Sequence, residues 1–527
     1  MTDQGREERE KKILEFLEKG ILLSPDVADD LDAMETPESG DVMVVDRENK
    51  AFLDRGVDWQ RFDEAKVREE KTGDGREYAK MAELAKEGEL DKERRGLKII
   101  RNYTKKSKKY TYEDFVSHFL QRFKALSAIL RQRQELAGAT ALSRVVKLPP
   151  RERASVIGMV KEKATTKHGN TIITIEDQTG ELKLLVTTKK PELAAAARDV
   201  VFDEVLGAAG VLGDGILFVD ALYTPDIPMT HETKKAPKEE YLAVIGDPQI
   251  GSKEFLKKDF EKMLSWLNGQ TGSEEQRRIA SLVTYVVVNG DLVEGVGVYP
   301  GQENDLEIKD IKEQYAAFAA YLRRIPSQIQ IIIIPGNHDA GRIAEPQPAI
   351  YKDYAPDLYA MENVTLLSSP STLMVAVDLA AGFPGLELLL YHGYSLPYYA
   401  DNVPSIRERG GQKRSELIMK FLLQRRHLAP SHTSNTYVPD PEEDPLTIER
   451  VPDLFITGHI HRVASASYRG VTMVNASTWG DITEDQEKRG LEPQPARLPL
   501  INLQTRDVKI INFYSGTGKA QQRGVKP

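Results

Sequence analysis

The sequence contains no cysteine among its 527 residues. Disulfide bonds and thiolate metal sites are therefore excluded, and a bound metal would need histidine, carboxylate, amide or water ligands. The chain also lacks an excess of positive charge, since its net charge is −9. Any binding of nucleic acid must therefore come from local basic patches.

Long apolar runs are missing as well. No stretch approaches the roughly 20 apolar residues that a membrane-spanning helix requires. The first residues, MTDQGREEREKK, are too polar for a secretory signal. We therefore expect a cytoplasmic protein that does not bind a membrane, with enough hydrophobic residues (40%) for several globular domains.

The N-terminal part of the chain changes character twice. Apolar residues at helical spacing predict a small helical module over residues 1–34 that binds a partner. Residues 35–110 are rich in charged and polar residues and predict a flexible, partly basic linker. An amphipathic pattern then predicts a helical connector over residues 111–149.

The linker ends in a basic cluster for which two interpretations stay open. Such a run of charge is often only a solvated segment, but lysines interleaved with tyrosines are also typical of contacts with the phosphate backbone. The candidate DNA-binding residues are Lys105, Lys106, Lys108 and Lys109.

Residues 150–235 alternate polar and apolar side chains over short runs separated by turn signals. The pattern predicts roughly five strands and one intervening helix, which matches the OB-fold, a small Greek-key barrel. Many such barrels bind nucleic acid, but a row of aromatic side chains is lacking here. Packing against protein is therefore at least as well supported as binding of nucleic acid.

Residues 236–515 alternate continuous apolar runs with helical patterns, and residues 516–527 form a polar tail. The runs suit strands that are buried on both faces, so a layered α/β domain is expected. They lie at residues 241–246, 283–289, 330–335, 387–391 and 453–457.

Each of these strands ends in residues that can bind a cation, and four of the nine histidines of the chain fall in the turns that follow. Ligand sites in α/β sheets lie beyond the carboxyl ends of the strands, so these side chains are expected to meet. The candidate ligands are Asp247, Gln249, Asp291, Asn337, His392, His459 and His461.

Such a donor set suits two cations roughly 3.5–4 Å apart. Asp291 can bridge them because a carboxylate has two oxygens. The positive charge of the pair would lower the pKa of a bound water and polarise a phosphoryl oxygen. His338 is expected to stabilise the transition state or protonate the leaving oxygen, with Asp339 orienting it.

Seven motifs give a family resemblance. GDPQ, GDLVEG, GNHD, HGYS and GHIH resemble the five blocks of the calcineurin-like metallophosphoesterases. GVGVYPGQE (295–303) and LLQRRHLAP (422–430) extend the resemblance to the small subunits of the archaeal family-D DNA polymerases. Over roughly residues 150–515 it implies a multidomain fold with an OB-fold barrel and a four-layer, two-sheet α/β phosphoesterase domain.

The resemblance also implies a proofreading 3′→5′ exonuclease. Its partners would be DNA, a large catalytic polymerase subunit and other replication factors. Its two divalent cations would usually be Mn²⁺, with other transition metals or Mg²⁺ as alternatives. Matched motif by motif, Asp247 and His461 bind the first metal, Asp291 bridges, and Asn337, His392 and His459 bind the second, with His338 as the catalytic histidine.

Two positions depart from related proteins. Gln249 stands where the phosphoesterases usually have histidine, and an amide oxygen is a poorer donor for a transition metal. We therefore expect weaker occupancy of the first site or a preference for harder ions. Glu294 stands where the related double-strand-break repair nucleases have histidine, which favours the resemblance to the polymerase subunits.

Three functions remain open on the sequence: an exonuclease subunit, a non-enzymatic assembly subunit, and a stand-alone phosphodiesterase. A long insertion over residues 396–452 argues against the third. The insertion would either grip a strand or cover the site, or else pack on the partner.

Overall fold

A computed structural model describes residues 96–378, 380–483, 490 and 492–516, together with two short N-terminal strands. The chain divides into two units, Met1–Gly88 and Glu89–Pro527, and each is described by itself.

In the first unit, strand β1 (Ile21–Leu23) pairs in parallel with β2 (Met43–Val45). These residues are extended, so the predicted helical module is wrong at Ile21–Leu23 and the predicted linker is wrong at Met43–Val45. A run of three apolar residues fits a strand as well as a helix. The remaining residues of the helical module lie outside the described part of the chain.

The second unit contains a closed barrel of five strands. Its order is β4-β5-β6-β8-β7, and β7 pairs back onto β4. The sequence prediction of five strands and one intervening helix is confirmed, while the assignment to the OB-fold stays a prediction. The strands are β4 (Arg153–Thr165), β5 (Thr171–Asp177), β6 (Gly180–Val186), β7 (Val205–Leu212) and β8 (Ile216–Tyr223).

Two six-stranded sheets form the α/β part of the fold, and the prediction of a multi-sheet α/β architecture is confirmed. The first has the order β12-β11-β10-β9-β18-β19, and β9 to β12 are parallel. Its strands are β9 (Tyr241–Ile245), β10 (Val283–Asn289), β11 (Gln330–Ile334), β12 (Val364–Leu366), β18 (Arg497–Asn502) and β19 (Val508–Asn512).

The second sheet has the order β16-β17-β15-β14-β13-β3. Its edge strand β3 comes from the predicted linker, which is therefore wrong at these residues. Leu97 and Ile99 pack into the core between the sheets, and this burial holds the segment in place. The strands are β3 (Lys98–Asn102), β13 (Ser371–Val375), β14 (Leu386–Leu390), β15 (Leu454–Thr457), β16 (Ala464–Tyr468) and β17 (Val471–Asn475).

Alternate residues of the buried strands face opposite layers, which explains their continuous apolar runs. In β9, Val244 packs between the two sheets with Leu388, whereas Ile245 packs against a helix through Phe260. The second sheet is covered on its other face by a helix that contributes Met419. Helices therefore lie outside both sheets.

The described helices are α1 (Tyr112–Leu130), α2 (Leu142–Val145), α3 (Pro191–Arg198), α4 (Lys257–Leu267), α5 (Glu274–Ser281), α6 (Ile311–Leu322), α7 (Pro356–Tyr359), α8 (Leu396–Asn402), α9 (Pro404–Arg407) and α10 (Ser415–Arg425). Short 3₁₀ turns lie at Gln134–Leu136, Gln302–Asn304, Gly411–Arg414 and His432–Ser434. Within the described part of the chain, no helix has the length and apolar character needed to cross a bilayer.

The insertion after β14 packs within the chain. It contains α8, α9 and α10, and its core includes Tyr399 and Phe421 together with Val201 of the barrel region. Arg425 donates to the buried carboxylate of Glu204 over 2.8 Å and so ties α10 to the barrel.

A buried ionic network joins the connector helix α1 to the same insertion. Arg122, which is 1% exposed, donates to Asp444 over 2.6 Å and to the Pro430 carbonyl oxygen over 2.6 Å. His427 Nε2 lies 2.8 Å from the same Asp444 oxygen. The LLQRRHLAP motif therefore joins separate parts of the fold through Arg425 and His427.

Replacing Arg122 with Met should lower the free energy of unfolding by about 3–5 kcal/mol, because Asp444 would lose its buried cationic partner. Denaturant unfolding measures the change. Lys124→Met, at an exposed position of the same helix, is the matched control and should stay within about 0.5 kcal/mol of the wild type. Equal stability of the two variants would contradict this account.

Candidate metal centre

The predicted ligands follow strands that lie side by side in the two sheets. In the first sheet, Asp247, Asp291 and Asn337 come just after the parallel strands β9, β10 and β11. In the second, His392 and His459 come just after the parallel strands β14 and β15. The carboxyl ends of parallel strands share one edge of a sheet, and here the two edges converge.

Two groups of ligand atoms share the carboxylate of Asp291. The ligand atoms of Asp291, His392 and His459 lie within 4.8 Å of one another, and so do those of Asp247, Asp291 and His461. Asp291 is 1% exposed. A buried carboxylate common to both groups is what a bridging ligand of a two-cation centre requires.

Asn337 belongs to the first of these groups. Its Oδ1 lies 3.0 Å from His392 Nε2, which is 3.4 Å from Asp291 Oδ2. In the second group, His461 Nε2 lies 3.5 Å from Asp247 Oδ1. The structure thus brings together the donor atoms of six predicted ligands: Asp247, Asp291, Asn337, His392, His459 and His461.

Gln249, the seventh predicted ligand, lies next to Asp291 in the fold. Its backbone N–H donates to the Asp291 carbonyl oxygen over 2.9 Å, and the residue is 9% exposed. Its Oε1 faces Gly480. The backbone at Gln249 is therefore held beside Asp291, and ligation by its amide oxygen stays a prediction.

The turns that present the ligands have unusual backbone conformations. Left-handed φ angles are rare outside glycine and cost of order 1–3 kcal/mol each, so they persist only where the surroundings impose them. At Asp247 the carbonyl oxygen accepts hydrogen bonds of 3.1 Å from Trp479 N–H and from Thr478 Oγ1. The φ angles are 45° at Asp247, 47° at Gln249, 49° at Asp291, 65° at His459 and 56° at His461.

Glycine at position 336 allows the carboxylate and an imidazole to approach the backbone. A Cβ there would lie 2.2 Å from Asp291 Oδ1 and 2.7 Å from His392 Cε1. The first residue of the GNHD motif is therefore fixed by space, because any side chain would displace the shared carboxylate.

Backbone carbonyl groups orient two of the histidines. His392 Nδ1 donates to the Asn289 carbonyl oxygen over 3.0 Å, which turns Nε2 towards Asp291 and Asn337. His338 Nδ1 donates to the Glu294 carbonyl oxygen over 2.8 Å. Such outer hydrogen bonds fix the tautomer and the ring plane of a metal-site histidine.

The expectation that Asp339 orients His338 is wrong. The Asp339 carboxylate accepts hydrogen bonds from Gly336 N–H (2.8 Å), from Leu292 N–H (3.2 Å) and from Tyr315 OH (3.0 Å). It therefore braces the turns after β10 and β11. Sequence adjacency to His338 suggested a contact that the direction of the side chain does not allow.

Glu294 is the residue that the sequence reasoning missed in this role. Its carbonyl oxygen accepts from both His338 and Gln302, and its carboxylate accepts from Tyr299 OH over 3.0 Å. Tyr299 and Gln302 belong to the GVGVYPGQE motif. The motif can be recognised in the sequence, but its contacts with Glu294, and through Glu294 with His338, depend on the fold.

The electrostatics of the buried cluster suit a cation. Burial would raise the pKa of Asp291, but His392 and His338 hold it well below its ordinary value. Burial would lower the pKa of His392, but the Asp291 carboxylate raises it to about 10. Burial and the neighbouring His392 lower the pKa of His459 to about 3, so its ring is neutral and has a lone pair. Ionised oxygen and neutral nitrogen donors are the forms that bind metals, so Asp291 and His459 already have the required form, whereas His392 would have to lose a proton when a cation binds.

His338 and Asp339 also have shifted pKa values. Burial would lower the pKa of His338, but Asp291 and Glu294 raise it above its ordinary value. Burial and Asp291 raise the pKa of Asp339 to about 7. His338 therefore holds a proton more readily than an ordinary histidine does.

The lysines predicted to bind DNA lie outside this centre, and Lys105 and Lys108 form ion pairs with acidic side chains. Lys105 Nζ lies 2.7 Å from Asp440 and 2.9 Å from Glu442, and Lys108 Nζ lies 3.0 Å from Asp114. Lys106 and Lys109 are exposed. The proposal that these four lysines bind DNA stays a prediction. Lys105 already forms ion pairs with Asp440 and Glu442 of the insertion.

Comparison with known proteins points to one family. A family model that describes the B subunits of DNA polymerases alpha and epsilon matches residues 242–464. The DNA polymerase II small subunit of Methanothermobacter thermautotrophicus is 38% identical over 74% of this chain and 77% of its own length. The protein of the same name from Archaeoglobus fulgidus is 38% identical over 76% of this chain and 78% of its own length.

Among solved structures, a protein described as a novel archaeal phosphodiesterase is 14% identical. The match covers 51% of this chain and 98% of that one, with a TM-score of 0.25.

Proposed function

The chain belongs to the family of archaeal DNA polymerase II small subunits, and from that premise we propose that its metal centre hydrolyses DNA phosphodiesters as a proofreading 3′→5′ exonuclease. The observation that supports this most directly is the sharing of Asp291 by two groups of buried donors. Two cations held in this way are typical of enzymes that cleave phosphate esters.

The proposed ligands divide into two sets around Asp291. Asp247, Gln249 and His461 bind the first cation, and Asn337, His392 and His459 bind the second. Divalent cations bound in such a pair activate water and polarise a phosphoryl oxygen. Mn²⁺ is the proposed metal, with Mg²⁺ and other transition metals as alternatives, since nitrogen and oxygen donors are mixed.

His338 is the proposed catalytic histidine. Its Nδ1 is bound to the Glu294 carbonyl oxygen, so Nε2 is the nitrogen that faces a substrate. Its raised pKa favours the protonated ring. A protonated Nε2 would donate to the leaving oxygen of the DNA or offset the charge that develops on the phosphoryl group.

The competing function is a scaffold subunit without activity. It is favoured by Gln249, which stands where the phosphoesterases usually have a histidine ligand. Against it stands the cost of keeping Asp291, Asp247 and His392 buried together, because buried charges destabilise a fold unless they are compensated. The strained turns add to that cost. A centre that binds metal gives both features a use.

The proposed assembly pairs this chain with a large catalytic polymerase subunit, as the name of its relatives implies. DNA is the proposed substrate, and other replication factors are further proposed partners. A stand-alone phosphodiesterase acting on a small molecule is less favoured, because the chain carries the long insertion over residues 396–452.

Exonuclease activity tests the proposal. Mismatched 3′ ends of a labelled primer–template should be removed in Mn²⁺ by the purified chain, alone or with its large subunit. Asp291→Asn should abolish activity together with metal binding, because an amide cannot bridge as an anion. His338→Asn should lower kcat about 10²–10⁴-fold while metal content, measured by mass spectrometry, is unchanged.

Glu152→Gln changes an exposed carboxylate in the same way as Asp291→Asn and is the control for charge. It should behave as the wild type. Equal digestion by the wild type and by Asp291→Asn would mean that the activity is a contaminant and would leave the scaffold function.

The proposed role of Gln249 as a ligand of the first cation can be tested separately. Gln249→His should tighten the weaker of the two Mn²⁺ sites and raise activity several-fold at limiting Mn²⁺, because imidazole is a better donor than an amide for this ion. Titration of activity with Mn²⁺ and with Mg²⁺ measures the effect, and the gain should be smaller with Mg²⁺. An unchanged Mn²⁺ dependence would show that residue 249 is not a ligand.

A further inference from the structure

A basic groove borders the metal centre. Its cavity of about 390 Å³ is lined by the cations Arg407, Lys413 and Arg462 and also by Ile460 and Glu492. Ile460 and Arg462 alternate along the chain with the predicted ligands His459 and His461. The groove and the centre therefore share the turn that follows β15.

The far wall of the groove is fastened to the same turn. Gln494 N–H donates to the His461 carbonyl oxygen over 2.8 Å. This bond attaches the segment that contains Glu492 to the ligand-bearing turn. The Lys413 wall comes from the insertion, between α9 and α10. The insertion thus contributes Lys413 and the turn after β15 contributes Arg462 to the same groove.

A carboxylate already occupies an anion position in this groove. Glu492 Oε1 lies 2.7 Å from Lys413 Nζ, and its Oε2 lies 3.6 Å from Arg462 Nη1. The hydrogen bond from Lys413 lowers the pKa of Glu492. All three side chains are partly exposed to solvent, so the ion pairs contribute little and a competing anion can displace the carboxylate.

The other residues that line the groove indicate which class of anion it would bind. No aromatic side chain lines the cavity among the described residues, so base stacking is not offered. The polar side chains that line it are the three cations, the acids Asp401 and Glu492, and the amide Gln412. Cations without aromatic platforms recognise the sugar–phosphate backbone irrespective of sequence, as a strand fed to an exonuclease requires.

We propose that this groove binds backbone phosphates of single-stranded DNA on the way to the metal centre, with Lys413 and Arg462 as positioning residues and Glu492 as their internal competitor. The inference rests on the proposed nuclease function of the same site. Glu492 leaves the two cations when a phosphate arrives, so DNA binding opens the groove.

Binding of a fluorescent dT₂₀ strand in EDTA tests the groove without cleavage. Lys413→Ala/Arg462→Ala should weaken binding at least about fivefold at 0.1 M salt and reduce the slope of log K against log salt by about 1.4, or 0.7 for each lost phosphate contact. Glu492→Gln should tighten binding about two- to fivefold, because the competing charge is removed while the shape is kept.

Arg278→Ala is the matched control. Arg278 also pairs with exposed carboxylates, but α5 precedes β10 and so lies at the opposite end of the strands from the centre. It should bind dT₂₀ as the wild type does. Identical affinity and salt slope for the double variant and Arg278→Ala would overturn the proposal. If the double variant instead weakened only assembly with the large subunit, the groove would be a protein interface and the proposal would fail.

The binding assay separates the two levels of the account. If the groove variants alter dT₂₀ binding while the wild type digests no DNA in Mn²⁺, the groove stands and the nuclease function fails. If DNA is digested and the groove variants have an unchanged KM and dT₂₀ affinity, the nuclease function stands and the groove fails.

Discussion

One buried carboxylate organises the centre. Asp291 is ionised and almost fully enclosed, and burying such a charge costs several kcal/mol unless neighbours compensate it. His338 N–H donates to it over 2.8 Å, and His392 lies 3.4 Å away. Because β10 presents the carboxylate and β14 presents His392, neither sheet makes the site alone. The apolar core between the sheets therefore sets the spacing of the donors.

The sequence predicted the parts of this arrangement that are local. A strand buried on both faces has a continuous apolar run, so the strands before Asp247, Asp291 and Asn337 could be recognised without a fold. The residues that follow such strands must be polar and turn-forming. Since ligand sites lie at the carboxyl ends of the strands, the strand ends also indicated which side chains would meet.

The parts that could not be predicted depend on contacts between distant segments. Asp339 braces two turns, because its hydrogen-bond donors come from the turns after β10 and β11 and from α6 rather than from His338. The segment Lys98–Asn102 joins a sheet because strand β13 offers an edge more than 260 residues away. Lys105 meets acids of the insertion in the same way. Composition identified these segments as charged or polar but contained no information on what they would meet.

These long-range contacts connect the site to the rest of the molecule. The insertion packs against the barrel region and also supplies Lys413 beside the turn that carries His459 and His461.

Anomalous diffraction at the manganese edge, from crystals grown in Mn²⁺, tests the central claim most directly. The account predicts two peaks roughly 3.5–4 Å apart, both in contact with the Asp291 carboxylate. A single peak, or peaks that do not touch Asp291, would contradict it.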